Sequence, residues 1–325
     1  MKKKITCAIV GGTGYTAGEL LRILLYHPYV EITAVESIFQ PGDPVASVHR
    51  DLAGETELCF CKEVPKTDVV FLCMGHGLSA NFLTQNNIDP HTKVIDLGDD
   101  FRVKSDFGTR KFIYGLPELF RPQINTACSV ANPGCFATAI QLALLPLARH
   151  NMLQDEVHIH AITGSTGAGR SLSESAHFSY RSNNISIYKA FTHQHLNEIR
   201  LSLSLVGSGI VPPINLIPMR GDYTRGIFAT LYTRVPWSKE EAKAHYANYY
   251  QSHPFTRISE QEMSLKEVVN TNKCMLHIDK HNDYLLITSM IDNLIKGASG
   301  QAVQNMNLMF GFDETLGLNL KPSAF

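Results

Sequence analysis

The stretch Gly11-Gly12-Thr13-Gly14-Tyr15-Thr16-Ala17-Gly18 limits what this chain can fold into more than any other. Lys4 to Val10, just before it, alternates and is rich in β-formers, which predicts a strand. Glu19 to Tyr26, just after it, reads as a helix. Gly12-x-Gly14-x-x-Ala17 satisfies the G-x-G-x-x-G/A pattern, whose glycines allow a tight turn and let a pyrophosphate approach a helix N-terminus. The pattern alone is weak, and a plain glycine-rich turn is the alternative reading. A strand before it and a helix after it are the context that supports dinucleotide binding. Gly12, Thr13, Gly14, Tyr15 and Thr16 are therefore the candidate cofactor contacts.

The following segments extend the same pattern. Glu31 to Val35 predicts a second strand ending at Glu36-Ser37, about 20 positions past the glycines, where an acidic residue commonly holds a ribose hydroxyl. Asp68 to Cys73 and Lys93 to Leu97 are continuous apolar runs, as in parallel strands buried on both faces. Strands alternating with helices predict a doubly wound sheet. Met74-Gly75-His76-Gly77 and Gly98-Asp99-Asp100-Phe101-Arg102 follow two of these strands, at the ends where ligands sit. Further on, Glu156 to Thr163, Ile227 to Val235 and Leu285 to Ile291 predict strands, and Ser238-x-x-Glu241 predicts a capped helix through Tyr250. A length of 325 residues favours two domains.

Net charge is −1, so no basic field invites nucleic acid or an anionic membrane. Met-Lys-Lys-Lys has no apolar run behind it and does not read as a signal peptide. No stretch reaches the length of a membrane span. Seven cysteines, odd in number and irregular in spacing, argue for a reducing, cytoplasmic compartment. Cys135 stands out among them. Pro133-Gly134 ends an extended run, and from Phe136 to His150 the apolar residues recur at helical spacing. A thiol at a helix N-terminus loses its proton more readily, and the thiolate is the nucleophile. A buried structural cysteine is the competing reading.

Candidate partners for this thiol lie downstream. His193-Gln194-His195 supplies an acid or base, with Glu198 placed to orient it. No third ligand stands at zinc spacing, so no metal is expected. The two histidines share a face on an extended segment but diverge by about 200° on a helix, so only one is expected at the thiol. Gly164 to Arg170 is a small-residue loop in which Arg170 could clamp an anion. Lys189 and Arg102 are further anion candidates.

At this point the chain resembles the N-acetyl-gamma-glutamyl-phosphate reductase family of arginine biosynthesis, nearly end to end. The carriers are Gly12-Thr13-Gly14-Tyr15, Tyr114-Gly115-Leu116-Pro117-Glu118-Leu119, Asn132-Pro133-Gly134-Cys135, Gly167-Ala168-Gly169-Arg170, His193-Gln194-His195 and Lys296 to Asn305. Aspartate-semialdehyde and glyceraldehyde-phosphate dehydrogenases are its wider relatives. The resemblance implies an α/β fold: an N-terminal Rossmann-type parallel sheet plus an α+β catalytic domain with a mixed or antiparallel sheet. The implied domains are 1–133, completed by a C-terminal helix over 295–325, and 134–294. It implies NADPH-dependent reduction of an N-acetylglutamyl phosphate through a thioester on Cys135, with His195 as acid/base and His193 second. It further implies cofactor contacts at Ser37, Gly167 and Asn305, substrate contacts at Arg102, Asn132, Arg170 and Lys189, and a homodimer or homotetramer. An N-succinyl or aspartyl phosphate substrate, and a non-enzymatic nucleotide sensor, are the alternatives. The segment Pro218 to Ile227 looks longer than the family's usual one, which leaves Arg220 or Arg225 to receive an extra carboxylate. Glu36 stands where an NAD-preferring enzyme keeps its ribose acid. Two like charges about 4 Å apart at an effective dielectric of 20 cost about 4 kcal/mol, so NADP requires Glu36 to point away.

Overall fold

The computed structural model describes residues 4–323. Residues 1–3, which belong to the Met-Lys-Lys-Lys start, and the last two residues of the expected C-terminal helix lie outside them. Contacts divide the chain into two compact units. One ends at Pro133 and takes back Ala298–Asn319, and the other runs Gly134–Gly297 and takes the chain from Leu320 onward.

In the first unit the strands are β1 (Ile5–Val10), β2 (Val30–Glu36), β3 (Phe60–Cys61), β4 (Val69–Leu72), β5 (Lys93–Asp96), β6 (Asp106–Phe107), β7 (Arg110–Tyr114) and β8 (Ser129–Ala131). Helices α1 (Tyr15–Leu24), α2 (Ser79–Gln85) and α3 (Pro117–Thr126) connect them. The sheet order is β3-β2-β1-β4-β5-β8-β7-β6. Every ladder is parallel except the β6–β7 hairpin. All four residues of β4 are buried, as a strand covered on both faces requires. The order reverses between β1 and β4, the switch point at which such sheets bind nucleotides.

The second unit opens with α4 (Cys135–Arg149). Its sheet contains β9 (Val157–Thr163), β10 (Ser186–Ile187), β11 (Ile214–Arg220), β12 (Ile227–Arg234), β13 (Thr256–Ser259), β14 (Cys274–His281) and β15 (Tyr284–Ile291). Helices α5 (Phe178–Arg181), α6 (His195–Ser204) and α7 (Lys239–Tyr250) complete it. The order is β10-β11-β9-β12-β15-β14-β13, a mixed sheet in which β9–β11 and β13–β14 run parallel. Strand β11 is absent from the strands expected from sequence, and the segment from Pro218 that looked long there begins inside it. Ile214, Leu216 and Pro218 alternate inward, but a proline inside a run demotes it as a strand signal. The capping box at the start of α7 carries both of its bonds.

The C-terminal helix α8 covers only Gly300–Met309, after a π-helical turn at Ile295–Ser299. The expected helix over 295–325 is therefore too long. Gly311 and Gly317 adopt φ of +65° and +76°, a backbone that ends helical winding. Met306 and Met309 are core, at 0% and 4% exposure.

Every residue of α4 from Phe136 to Ala148 is buried, although Pro146 sits inside the helix. Proline lacks the N–H that would bond the Leu142 carbonyl one turn back. Tyr250 of α7 replaces it, its hydroxyl donating to the Leu142 oxygen at 2.5 Å, and Tyr246 adds a second hydroxyl bond, to the Ala143 carbonyl at 2.5 Å. From β15, Ser289 Oγ donates to the Ala139 carbonyl at 2.8 Å. Replacing Tyr250 by Phe should lower stability by about 1–3 kcal/mol, the cost of a buried acceptor left unmade. Urea unfolding monitored by circular dichroism measures this, and an unchanged midpoint would count against the account.

Candidate active site

The candidate residues form two groups, one in each unit. In the second unit, Cys135 is the first residue of α4, after Gly134 in extended conformation. The Gly134 carbonyl accepts from the backbone N–H and the hydroxyl of Thr138, at 2.8 and 3.0 Å, which closes the first turn. The Gly134 N–H donates to Glu198 Oε2 at 3.1 Å. Its Cα faces the His195 imidazole so closely that a Cβ would stand 2.4 Å from Nε2 and 2.7 Å from Glu198 Oε1. Only glycine fits, and the imidazole is thereby seated against the residue that precedes the thiol. On the other side a Cβ on Gly297 would stand 2.7 Å from that of Cys135. The π-helical turn thus packs directly on the cysteine.

His195 is the first residue of α6, and His193 precedes the helix. Both are buried, at 6% and 5% exposure. Their rings lie 4.6 Å apart, edge to face, and both meet Phe136. The expected divergence does not occur, because only one of the pair belongs to the helix. His193 Nδ1 accepts the His195 backbone N–H at 3.2 Å. His195 Nε2 lies 3.8 Å from Glu198 Oε1, beyond hydrogen-bond length, while the other carboxylate oxygen holds Gly134. His193 also meets Tyr188 edge to face at 5.9 Å.

The anion candidates separate by partner. Arg225 grips the fully buried Asp292 with two bonds, Nε to Oδ2 at 3.1 Å and Nη2 to Oδ1 at 3.2 Å. Arg102, 7% exposed, donates to the carbonyls of Asn132 at 2.8 Å and Leu97 at 3.0 Å. Arg170 is exposed in the loop after a 3₁₀ turn that contains Gly167, so Gly167 belongs to the second unit. Lys189 is exposed, at φ +46°, with Nζ on Gln194 Oε1 at 3.1 Å. Arg220, whose guanidinium lies 4.8 Å from the Tyr188 ring centre, is the cation that belongs to this cluster. Its position on β11 was hidden by Pro218.

The other cysteines are differently placed. Burial pushes the Cys73 thiol up to about 12 and Cys7 further up, so both are packing groups. None of the seven cysteines is in a disulfide. Among the described residues no cluster could hold a metal, and no helix is long and apolar enough to cross a membrane.

In the first unit the glycine loop lies between β1 and α1. Gly11 has φ +76°, and a Cβ on Gly12 would stand 2.4 Å from Val35 Cγ1. Gly14 differs, because a Cβ there would meet nothing nearer than 3.8 Å. A Cβ there would make only ordinary contacts; it is the N-terminus of α1, which follows Gly14 directly and carries unpaired N–H groups, that suits a pyrophosphate, so the loop fits a dinucleotide. Thr13 and Tyr15 flank Gly14 in sequence, while the Thr16 hydroxyl is bonded to Cys73. Glu36 is 8% exposed, and its Oε2 accepts the Gly11 N–H at 3.0 Å. Ser37 is buried, with Oγ accepting the Phe39 N–H at 3.3 Å. Asn305, fully buried on α8, donates to the Gly115 carbonyl at 2.9 Å and to Asn132 Oδ1 at 3.1 Å. Its own Oδ1 has no hydrogen-bond partner among the described residues.

Residues 6–127 match the family described as semialdehyde dehydrogenase, NAD binding domain, and residues 135–293 match semialdehyde dehydrogenase, dimerisation domain. The fold agrees with aspartate semialdehyde dehydrogenase II of Vibrio cholerae, at TM-score 0.71 and 14% identity over 95% of this chain and 99% of that one. It agrees also with the Candida albicans aspartate semialdehyde dehydrogenase, at TM-score 0.69 and 13% identity over 95% of this chain and 99% of that one. The two units thus define a semialdehyde-dehydrogenase-type oxidoreductase. N-acetyl-gamma-glutamyl-phosphate reductases of Flavobacterium johnsoniae and Christiangramia forsetii are 55% and 53% identical over 99% of this chain and 100% of theirs. The chain belongs to the N-acetyl-gamma-glutamyl-phosphate reductase family.

Gly297→Ala tests the packing on the thiol. The added methyl forces Cys135 to move, and a displacement of about 1 Å costs roughly a hundredfold in turnover. Turnover and the iodoacetamide alkylation rate of Cys135 should both change. A variant with wild-type values of both would show that the contact is not needed.

Proposed function

We propose that this chain reduces N-acetyl-L-glutamyl 5-phosphate to N-acetyl-L-glutamate 5-semialdehyde with release of phosphate, using NADPH. The observation that carries this reading is Cys135 at the first turn of α4, with His195 seated against Gly134 beside it. The Cys135 thiolate, favoured at a helix N-terminus, attacks the acyl carbon. The bond from carbon to phosphate oxygen breaks, phosphate leaves, and a thioester remains on Sγ. Backbone N–H groups of the first turn of α4 stabilise the oxyanion that develops. NADPH, when held by the glycine loop, would supply a hydride to the thioester carbon. His195 gives a proton to the resulting alkoxide and takes it back as the carbon–sulfur bond breaks, which releases aldehyde and restores the thiolate. Glu198 holds the Gly134 backbone, and His193 holds the His195 backbone, so both act as positioning groups.

Gly12, Thr13, Gly14, Tyr15 and Thr16 would hold the pyrophosphate, and Asn305 offers its Oδ1 to the carboxamide of the nicotinamide. Ser37 and Thr13 are the donors for the 2′-phosphate. The bond from Gly11 to Glu36 supports NADP, because it turns the carboxylate toward the loop backbone. Arg102 supports Asn132 through its carbonyl, and Arg170 and Lys189 are surface cations on the substrate-binding unit. The dimerisation-domain match supports a homodimer or homotetramer. Cysteines that form no disulfide support a cytoplasmic location.

The test is NADP⁺ reduction with N-acetylglutamate semialdehyde and phosphate. Cys135→Ser should abolish it. His195→Asn should lower turnover by about 10²–10⁴, the range of acid–base catalysis, and by more than His193→Asn. Near wild-type turnover of Cys135→Ser would remove the covalent route. For the cofactor, kcat/KM for NADPH over NADH should exceed one. A ratio below one that Glu36→Ser raises would place Glu36 at the ribose instead.

A further inference from the structure

We propose that Arg220, set over the Tyr188 ring, receives an oxyanion of the substrate, a role that rests on the acyl-phosphate reaction proposed above. Arg220 ends β11, where its backbone pairs with Thr163 of β9 and Ser186 of β10. Its guanidinium lies 4.8 Å from the centre of the Tyr188 ring. Tyr188 meets His193 edge to face, His193 meets His195, and His195 is seated against Gly134. The cation thus stands at the end of a row of rings that leads to Cys135. Burial raises the Tyr188 hydroxyl, a negative Cys135 raises it further, and Arg220 opposes both. Arg220 and the thiolate therefore act on the same phenol.

The charge on Arg220 has no carboxylate partner among the described residues, and its buried Nε has no hydrogen-bond acceptor there. Arg225, five positions on, is held by Asp292. A buried guanidinium donor without an acceptor is costly, and a bound oxyanion offsets that cost. The approach to the Tyr188 ring and a side-chain hydrogen bond with its hydroxyl restrain the guanidinium, which prepares its remaining donors for charge-assisted bonds to a carboxylate or a phosphoryl group. The substrate carries both groups, so the shared chemistry is an oxyanion of that planar or tetrahedral kind.

Steady-state kinetics with phosphate, semialdehyde and NADP⁺ each varied separate the two sources. In Arg220→Gln one KM should rise about ten- to a hundredfold, the scale of a lost charge-assisted hydrogen bond. A rise for phosphate assigns Arg220 to the phosphoryl group, and a rise for the semialdehyde assigns it to the carboxylate. Arg220→Lys should show a smaller rise in the same KM, and it carries the test if the Gln variant does not fold. NADPH affinity, read by fluorescence titration, should not move. Independently, the rate of Cys135 alkylation by iodoacetate relative to iodoacetamide should fall in Arg220→Gln and recover in Arg220→Lys. That ratio does not need turnover. An inactive wild type would therefore refute the reaction, whereas unchanged KM values and an unchanged alkylation ratio would refute the role of Arg220.

Discussion

Complete burial of α4 is the constraint from which the second unit is built. A helix buried from Phe136 to Ala148 has no water for its carbonyls, and Pro146 leaves one of them without its internal donor. Tyr250 of α7 supplies that donor, and Tyr246 of α7 and Ser289 of β15 give hydroxyl bonds to two further carbonyls. These bonds fix α4 along its length, so the residue at its N-terminus is held by packing rather than by a loop. The proposed role of Cys135 as nucleophile would draw on that fixity, because reacting atoms must meet within a fraction of an ångström.

Close approach at glycines then sets the chemistry. Gly12 lets the nucleotide loop pass against Val35, Gly134 admits the His195 ring, and Gly297 admits the Cys135 side chain. In each case a methyl group would occupy space already filled by a functional or core atom. Gly14 is of another kind, since a Cβ there would make only ordinary contacts; it caps the start of α1, where the helix leaves N–H groups unpaired.

The arginines divide by what they neutralise. Arg225 and Arg102 are bound to Asp292 and to main-chain carbonyls, and they order the backbone around their partners. Arg220 lies over an aromatic face, and its buried Nε has no hydrogen-bond partner among the described residues. Sequence alone presents all three as candidate anion binders.

The sequence by itself determined the glycine loop with its strand and helix, the buried parallel strands, the start of α4 at Cys135 and the capped helix α7. All of these rest on periodicity or turn chemistry within about a dozen neighbouring residues, where backbone preference and side-chain spacing act directly. Only the tertiary structure decided that Pro218 lies in a strand, that the C-terminal helix stops at Met309, and that the two histidines stand side by side. It also decided which cation faces the thiol's neighbours. Those outcomes turn on partners far apart in the chain: Gly134 meets Glu198 across 64 positions, and Arg225 meets Asp292 across 67. No local pattern encodes such pairings, because the energy that selects them arises only when burial removes water from both partners at once.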